Sequence, residues 1–416
     1  MFDKYRLLNL LEIALEKRVL YSYPRSLVLF MSNTCNLSCA HCQYYSKYGN
    51  TDYTNFRKYD LNDNIVDNLS EVIKHSETFV ITGEGEPLLQ TDMINKIMAL
   101  NTNNSVLYTN GLLLNKYDFQ TFKNLKRMMV SIDAPESSFY TRLRGGDLNT
   151  VKSNLENFIK QNPHVNVVPT MLIAKYSLAY VYDMYKFAKD LGVKEILLQK
   201  CIYWQELKEY EVDLNDMNYL NMFYRDIKDD LHVEFSGFNE RELNVIYADG
   251  YMRRSFALHT ELPSVELKRC EPSTNNDYLD FIHRIRLGDN SDDGAGKLSL
   301  DQLILMYMDE LKQKENIREP YCYAPWLQMV VDPESNSRPC CSTVQHFKDP
   351  TKPNWAQQNF NITNNFRKVW NTSGFRNLRQ HMFGDITKLP MICQSCNSSH
   401  RKRLSEDYIK FINMEI

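Results

Sequence analysis

Three cysteines, Cys35, Cys39 and Cys42, fall within eight residues that read Cys-Asn-Leu-Ser-Cys-Ala-His-Cys. So dense a set of soft ligands reads as a metal centre, and the count carries the chemistry. A closed structural site takes four protein ligands, whereas three thiolates on a four-iron cluster leave one iron open to bind something else. A Cys3His zinc site using His41 competes on spacing alone. A second set, Cys322, Cys340, Cys341, Cys393 and Cys396, stands near the end of the chain. Cys393 and Cys396 have the Cys-x2-Cys spacing that turns two thiolates toward one centre, and Cys322 with Cys340 or Cys341 completes four. A structural zinc ribbon is the competing reading there.

These residues need elements to position them. Residues 27–31 are a short continuous apolar run that suits a buried strand of a parallel sheet, and the first cysteine loop follows directly. Further strand candidates cover 79–82, 105–109, 128–132, 165–173 and 195–199, separated by segments of helical spacing, with 232–236 as one more. This alternation predicts an α/β fold of parallel βα units. Six strands from 27 to 199 predict a partial (β/α)6 TIM-like barrel that does not close. The alternation fades after about residue 240. The expected division is an N-terminal helix at 1–26, the barrel at 27–240, a bridging region at 241–316 and a smaller cysteine-bearing domain at 317–416. The stretch 288–296 imitates the front of an EF-hand loop, but Leu300 stands where a bidentate glutamate is needed, so it reads as a solvated loop.

Composition sets outer limits. The 416 residues are 43% hydrophobic and 24% charged, the balance of a globular chain long enough for one large domain and a smaller one. With 49 Lys+Arg against 52 Asp+Glu the net charge is −3, which gives no electrostatic reason to expect nucleic acid or an anionic membrane as partner. No stretch approaches the roughly 20 apolar residues that span a bilayer. The apolar run 7–15 is broken by Asn9 and Glu12, which suits an amphipathic helix and not a signal peptide. A cytoplasmic protein is expected, whose cysteines do not pair as disulfides.

The Cys-x3-Cys-x2-Cys loop resembles the signature of the radical S-adenosylmethionine (radical SAM) enzymes, and Asn36, Leu37 and His41 resemble the subgroup that carries extra clusters. Thr-Gly-Glu-Gly-Glu-Pro at 82–87 is similar to the family's glycine-glutamate-proline motif through Gly85, Glu86 and Pro87. Tyr108-Thr109-Asn110-Gly111, Ser131-Ile132-Asp133 and Arg144-Gly145 match in order. All fall at the carboxyl ends of candidate strands, where open parallel sheets bind ligands. The resemblance implies a 4Fe-4S cluster on Cys35, Cys39 and Cys42 whose open iron is chelated by the amino and carboxylate groups of S-adenosylmethionine. It also implies cofactor contacts from His41, Gly83, Gly85, Glu86, Pro87, Asn110, Ser131, Asp133 and Arg144. Gly83 and Gly85 would let the backbone approach the methionyl end. Ser131 and Arg144 are the candidates for ribose and carboxylate, with Arg142 the alternative arginine.

Cys322-Tyr323-Ala324-Pro325-Trp326, Asp332-Pro333, Pro339-Cys340-Cys341, Val369-Trp370-Asn371 and the final Cys-x2-Cys resemble the auxiliary iron–sulfur extension of these enzymes, the SPASM or twitch type. A full SPASM extension binds two auxiliary clusters and needs more cysteines than the five found here, so the resemblance is to the shorter twitch form. That implies one auxiliary 4Fe-4S cluster on Cys322, Cys340 or Cys341, Cys393 and Cys396. Four thiolates close it, which suits an electron acceptor or relay.

The implied reaction is reductive cleavage of S-adenosylmethionine to a 5′-deoxyadenosyl radical, hydrogen abstraction from a substrate C–H bond, and oxidation of the substrate radical with the auxiliary cluster's help. A reductant such as flavodoxin or ferredoxin is implied as partner. A peptide or protein side chain is the first substrate reading, although residues 1–26 are too short for a leader-peptide recognition domain. Dehydrogenation or epimerisation of a small molecule, such as an aminocyclitol or sugar, is the alternative. A non-catalytic metal-binding or electron-transfer protein is the third. Cys201, after the sixth strand, reads as a hydrogen-atom donor or as a buried core cysteine; Cys270 has no supporting context. The basic run 400–403, with Arg376 and Arg379, would contact an acidic peptide or RNA, or else form a solvated helix face or complement a helix C-terminus.

Overall fold

The computed structural model describes residues 4–42, 44–46, 58–100, 104–201, 205–227, 231–247, 298–318, 320–332, 336–340, 358–359, 366–389 and 391–394. Cys270, Cys341, Cys396, the loop 288–296 and the basic run 400–403 lie outside the described residues.

The strands are β1 (Ser26–Phe30), β2 (Thr78–Thr82), β3 (Ser105–Thr109), β4 (Leu125–Ser131), β5 (Asn166–Ile173), β6 (Glu195–Lys200), β7 (His232–Ser236), β8 (Gln328–Val331), β9 (Asn336–Arg338) and β10 (Gln358–Asn359). Between and after them run α1 (Lys4–Ala14), α2 (Asp63–His75), α3 (Thr91–Ala99), α4 (Ser137–Arg144), α5 (Leu148–Gln161), α6 (Val181–Asp190), α7 (Asp216–Asp226) and α8 (Glu240–Ile246). The C-terminal part adds α9 (Leu300–Lys312), α10 (Ala324–Leu327), α11 (Phe366–Trp370), α12 (Ser373–Met382) and α13 (Met391–Gln394).

The strands form one open sheet in the order β10-β9-β8-β1-β2-β3-β4-β5-β6-β7. From β8 through β7 every neighbouring pair is parallel; β9 and β10 are antiparallel additions at one edge. The six expected strands are β1 to β6, the candidate at 232–236 is β7, and the sheet stays open as a partial barrel. The C-terminal cysteine-bearing segment shares this sheet, because β8 pairs with β1 in the register Ser26↔Gln328 to Leu29↔Val331.

Side chains alternate between the two faces of each strand. Outward residues such as Leu27, Leu29, Phe79, Ile81, Met128, Val130, Ile196 and Leu198 join the main core under the helices. Inward residues Val80, Val106, Tyr108, Met129, Val168 and Leu197 form a separate, smaller cluster lining the concave side. At the amino ends of the inward face Arg127 Nη2 meets Glu195 Oε1 at 2.5 Å and Glu234 Oε2 at 3.7 Å, and Asn166 donates to Glu195 Oε2 at 2.9 Å. This buried polar cluster plugs the barrel floor and leaves the carboxyl ends as the working rim.

Candidate active site

The first cysteine loop is zipped to the loop after β2. Met31 N–H donates to Thr82 O at 2.7 Å, Gly85 N–H to Ser32 O at 2.9 Å, and Glu86 N–H to Thr34 O at 2.8 Å. A Cβ on Gly85 would sit 1.9 Å from Thr34 O, and one on Gly83 would sit 2.8 Å from Ser32 O. The glycines were expected to admit a cofactor; their visible task is to admit the cysteine loop itself. Pro87 then opens a 3-10 turn, Pro87–Leu89, whose first residues are capped by the Glu86 side chain.

Glu86 is a buried bracket. Its carboxylate accepts from Leu88 N–H at 3.0 Å, Thr109 Oγ1 at 2.7 Å and Asn110 N–H at 2.8 Å, tying the ends of β2 and β3 together. Burial pushes its pKa up, making it a weaker acid, in spite of these three donors. Asn110 Nδ2 in turn donates to Asn36 Oδ1 at 2.8 Å, inside the cysteine loop. Thus Glu86 and Asn110 hold the loop from behind. Gly111, at φ +79°, makes the turn that a side chain would strain.

Cys35, Cys39 and Cys42 are thiols in this loop, Cys39 buried and the others half-buried. Burial pushes the Cys35 thiol up to about 11, Leu37 N–H opposes this, and Glu86, Cys39 and Cys42 add to it. The backbone N–H groups of Tyr44 and Tyr45 donate to Cys42 Sγ at 3.4 and 3.3 Å. Such donors suit a sulfur that ligates a metal centre. The Tyr44 hydroxyl donates to Glu84 Oε1 at 2.9 Å and that of Tyr45 to Asn33 O. His41 Nδ1 is buried without a hydrogen-bond partner, an acceptor suited to a donor on a bound group. The loop fits an iron–sulfur cluster bearing an organic ligand. Among the described residues no three His, Cys, Asp or Glu side chains converge on one metal-sized point.

Ser131 ends β4, half-buried at the rim, and Asp133 follows in a left-handed conformation at φ +58°. The Asp133 carboxylate accepts from Leu172 N–H at 2.8 Å, pairs with Arg144 Nη1, and lies 3.3 Å from His41 Nε2. Burial opposes its charge, but the Arg144 guanidinium and His41 hold it well below the usual carboxylate range. Arg144 is itself buried at the end of α4, which Gly145 terminates at φ +78°. Arg142 is exposed and lies over the Phe139 ring at 5.2 Å. Of the two arginines, Arg144 is the one turned onto Asp133 and the cysteine loop. Cys201, just past β6, is buried with Ala174 and packed against Leu172 and Tyr176, with its N–H on Ile173 O.

The C-terminal cysteines are arranged by a hairpin. Cys322 precedes α10 and β8, and β9 returns antiparallel with Val330↔Arg338, so Cys340 comes back level with the amino end of β8. The gap of eighteen positions between Cys322 and Cys340 is the length of that excursion. Since β8 runs parallel to β1, these two cysteines lie at the opposite end of the sheet from Cys35, Cys39 and Cys42. Cys393 is in α13; its Cys-x2-Cys partner Cys396 lies outside the described residues.

Arg379 corrects an expectation. Neither a peptide contact nor a solvated residue, it is fully buried and donates to Pro325 O, Arg18 O and Trp370 O, each at 2.9 Å. Its guanidinium stacks on Trp370 at 4.6 Å and Phe375 at 5.4 Å. Burial drags it down to about 9, against the pull of buried Glu12. Arg376, one turn earlier, is exposed. Sequence reasoning passed over Glu12, Asn9 and Arg379 as a group, and their only signal was polar residues on the apolar face of α1. Asn9 donates to Trp326 O at 2.9 Å, and Trp326 Nε1 donates to Lys17 O at 3.0 Å. The N-terminal helix and Arg379 together hold the segment that leads from Cys322 into β8.

The chain matches the model of the radical SAM superfamily over residues 29–188 and that of the SPASM iron–sulfur cluster-binding domain over residues 322–397. A probable GTP 3′,8-cyclase of Methanococcus aeolicus is 26% identical over 281 residues, 63% of this chain and 82% of the relative. Another from Methanocaldococcus jannaschii is 24% identical over 71% of this chain and 92% of its own. Among solved structures, Streptococcus suis SuiB bound to S-adenosylmethionine superposes with a TM-score of 0.52 at 15% identity, covering 86% of this chain and 69% of SuiB. At that identity the likeness is one of fold. Among the described residues no helix is long and apolar enough to cross a membrane. With its two matches, its open parallel sheet and its strand-end cysteine loop, the chain belongs to the radical SAM enzymes that carry a SPASM-type iron–sulfur extension, with S-adenosylmethionine and iron–sulfur clusters as cofactors.

Proposed function

We propose that this enzyme oxidises a carbon centre of a peptide or protein side chain. When bound, the cluster and S-adenosylmethionine supply a 5′-deoxyadenosyl radical that takes hydrogen from an unactivated C–H bond. The residues proposed to hold the first cluster are Cys35, Cys39 and Cys42. His41, Gly83, Gly85, Glu86, Pro87, Asn110, Ser131, Asp133 and Arg144 surround the S-adenosylmethionine site, most of them by shaping it. Cys322, Cys340, Cys393 and Cys396 would hold an auxiliary cluster, which would supply an acceptor for the second electron and make the net reaction an oxidation. A flavodoxin or ferredoxin delivers the first electron, and a reducing compartment such as the cytoplasm suits thiolate ligands. The proposed domain division is 1–26, 27–240, 241–316 and 317–416, with the N-terminal helix packed chiefly against α9 (Leu300–Lys312). Cys201 is assigned to packing, since it is buried in a small apolar cluster.

One observation carries the substrate reading. The inward positions near the rim, Thr82, Tyr108, Ser131, Thr170, Leu172, Gln199 and Ser236, are uncharged. Among the described strand residues the inward cations are Arg127, at the floor and neutralised by Glu195 and Glu234, and Arg338 of β9, opposite Val330 and paired with Asp332. A neutral concave face suits a peptide backbone and side chain. A nucleoside triphosphate calls for several cations aimed at its phosphates. SuiB, of the same fold, is known bound to its precursor peptide SuiA. The names of the sequence relatives favour a second reading, GTP as substrate. The two separate cleanly: the reconstituted enzyme with dithionite and S-adenosylmethionine is given either GTP or a pool of synthetic peptides. Peptide-stimulated 5′-deoxyadenosine formation is expected; stimulation by GTP alone would replace this reading with the second. Iron of about eight per chain fits two four-iron clusters, and about twelve would mean a second auxiliary cluster.

A further inference from the structure

We propose that Asp133 is a positioning residue that sets the orientation and reduction potential of the first cluster, by holding Arg144 and His41 against the Cys39 to Cys42 half of its loop. The inference concerns the cluster alone and stands whatever the substrate is.

Asp133 is anchored from the sheet. Its N–H and that of Ile132 both reach Thr170 O, at 3.2 and 2.9 Å, and its Oδ1 accepts from Leu172 N–H at 2.8 Å. These bonds hold it at φ +58°, a left-handed conformation that an aspartate adopts at a cost in backbone strain. The cost is met to aim Oδ2 at two partners. His41 Nε2, at 3.3 Å, belongs to the residue immediately before Cys42. Arg144 ends α4, whose last carbonyls take the other side of the loop: Leu143 O accepts from Ala40 N–H at 2.8 Å, and Arg144 O lies 3.8 Å from Cys39 Sγ. One carboxylate therefore fixes both neighbours of the segment that carries two of the three thiols. It also places a buried anion and cation, in close balance, beside the cluster. Net charge and fixed dipoles near an iron–sulfur centre tune its potential.

The test uses reconstituted full-length enzyme without S-adenosylmethionine. Asp133→Asn keeps the shape, and asparagine tolerates the left-handed backbone. It removes the anion and leaves the Arg144 cation, so the cluster should become easier to reduce. At a fixed poise, the ratio of reduced to oxidised cluster, read by electron paramagnetic resonance, is expected to rise about tenfold, or about 59 mV for one electron. The reduced signal should also change shape, with iron content and the unfolding midpoint little altered. An unchanged potential and spectrum would overturn the proposal and leave Asp133 a structural staple. Where D133N fails to hold iron, Arg144→Gln provides the second measurement. Loss of the cation must shift the potential the opposite way, and no shift, or a shift of the same sign, overturns the proposal as well.

Discussion

The two cysteine regions are held by opposite means. The first loop supplies its thiols from eight contiguous residues, and its support arrives through loop backbone and short side chains at four strand ends: Ser32 and Thr34 against Gly83 and Gly85, Glu86 against Asn110, and Asp133 against Arg144. The second set draws thiols from positions 322 to 396, and its described support is one buried guanidinium and the N-terminal helix. A contiguous ligand loop is insured by many small contacts. A dispersed one depends on a few residues that gather distant chain segments, so single substitutions there should cost more.

The largest effect breaks the first region outright. Replacing Cys39 and Cys42 together by alanine should reduce 5′-deoxyadenosine formation to background, at least about three orders of magnitude, while iron at the C-terminal site persists. Retained cleavage would move the site elsewhere. Next, Gly85→Ala drives a methyl into Thr34 O and should cost at least about tenfold in S-adenosylmethionine cleavage, because the loop must separate from its bracket. Rates equal to the parent would mean that the zipper is not needed.

Arg379→Met sharpens the contrast. It strands the carbonyls of Pro325, Arg18 and Trp370 and should destabilise the protein by about 3–5 kcal/mol in denaturant titration, with auxiliary iron lost before first-cluster iron. Loss of both at once would show that the two regions are one cooperative unit. A pH series is subtler. Burial raises Glu12 to about 7 from 4.5, against donors from Ser22 and Tyr21. The folded state then binds the proton more tightly than the unfolded chain. Stability from this group is complete below about 4.5 and falls as pH rises through 7, by roughly 3 kcal/mol at most. Glu12→Gln should flatten that slope in unfolding measured from pH 4.5 to 8. The smallest effect belongs to Arg142→Ala, which touches an exposed residue and should leave stability within about 0.5 kcal/mol and activity within about twofold; a large loss would return Arg142 to the site.

Legibility followed contiguity. The apolar run before Cys35, the strand-end motifs and their order were all readable, because a parallel strand buried on both faces announces itself in consecutive residues and a ligand loop needs fixed spacing. The roles inside the motifs were not readable. Glu86 looked like a cofactor residue and is a bracket between β2 and β3; Gly85 looked like space for a ligand and is space for Thr34. Arg142 and Arg144 are alike in sequence, yet α4 turns one toward solvent and the other onto Asp133. Arg379 carried no signal, since a lone arginine on a short helix is most often solvated, and only packing against Trp370 and three backbone carbonyls buries it.

The sequence by itself determined the ligand chemistry and the strand-by-strand order: three thiols in one loop, the alternation of strands and helices, and the motifs at their carboxyl ends. These are local properties, written in neighbouring residues. Tertiary structure alone decided that β8 joins β1 and carries Cys322 and Cys340 to the far end of the same sheet. It alone decided that an N-terminal helix clamps a C-terminal segment, and that one carboxylate ties His41 to Arg144. Such choices depend on contacts between residues more than three hundred positions apart, as from Asn9 to Trp326, whose burial and hydrogen bonds exist only once the chain has closed on itself.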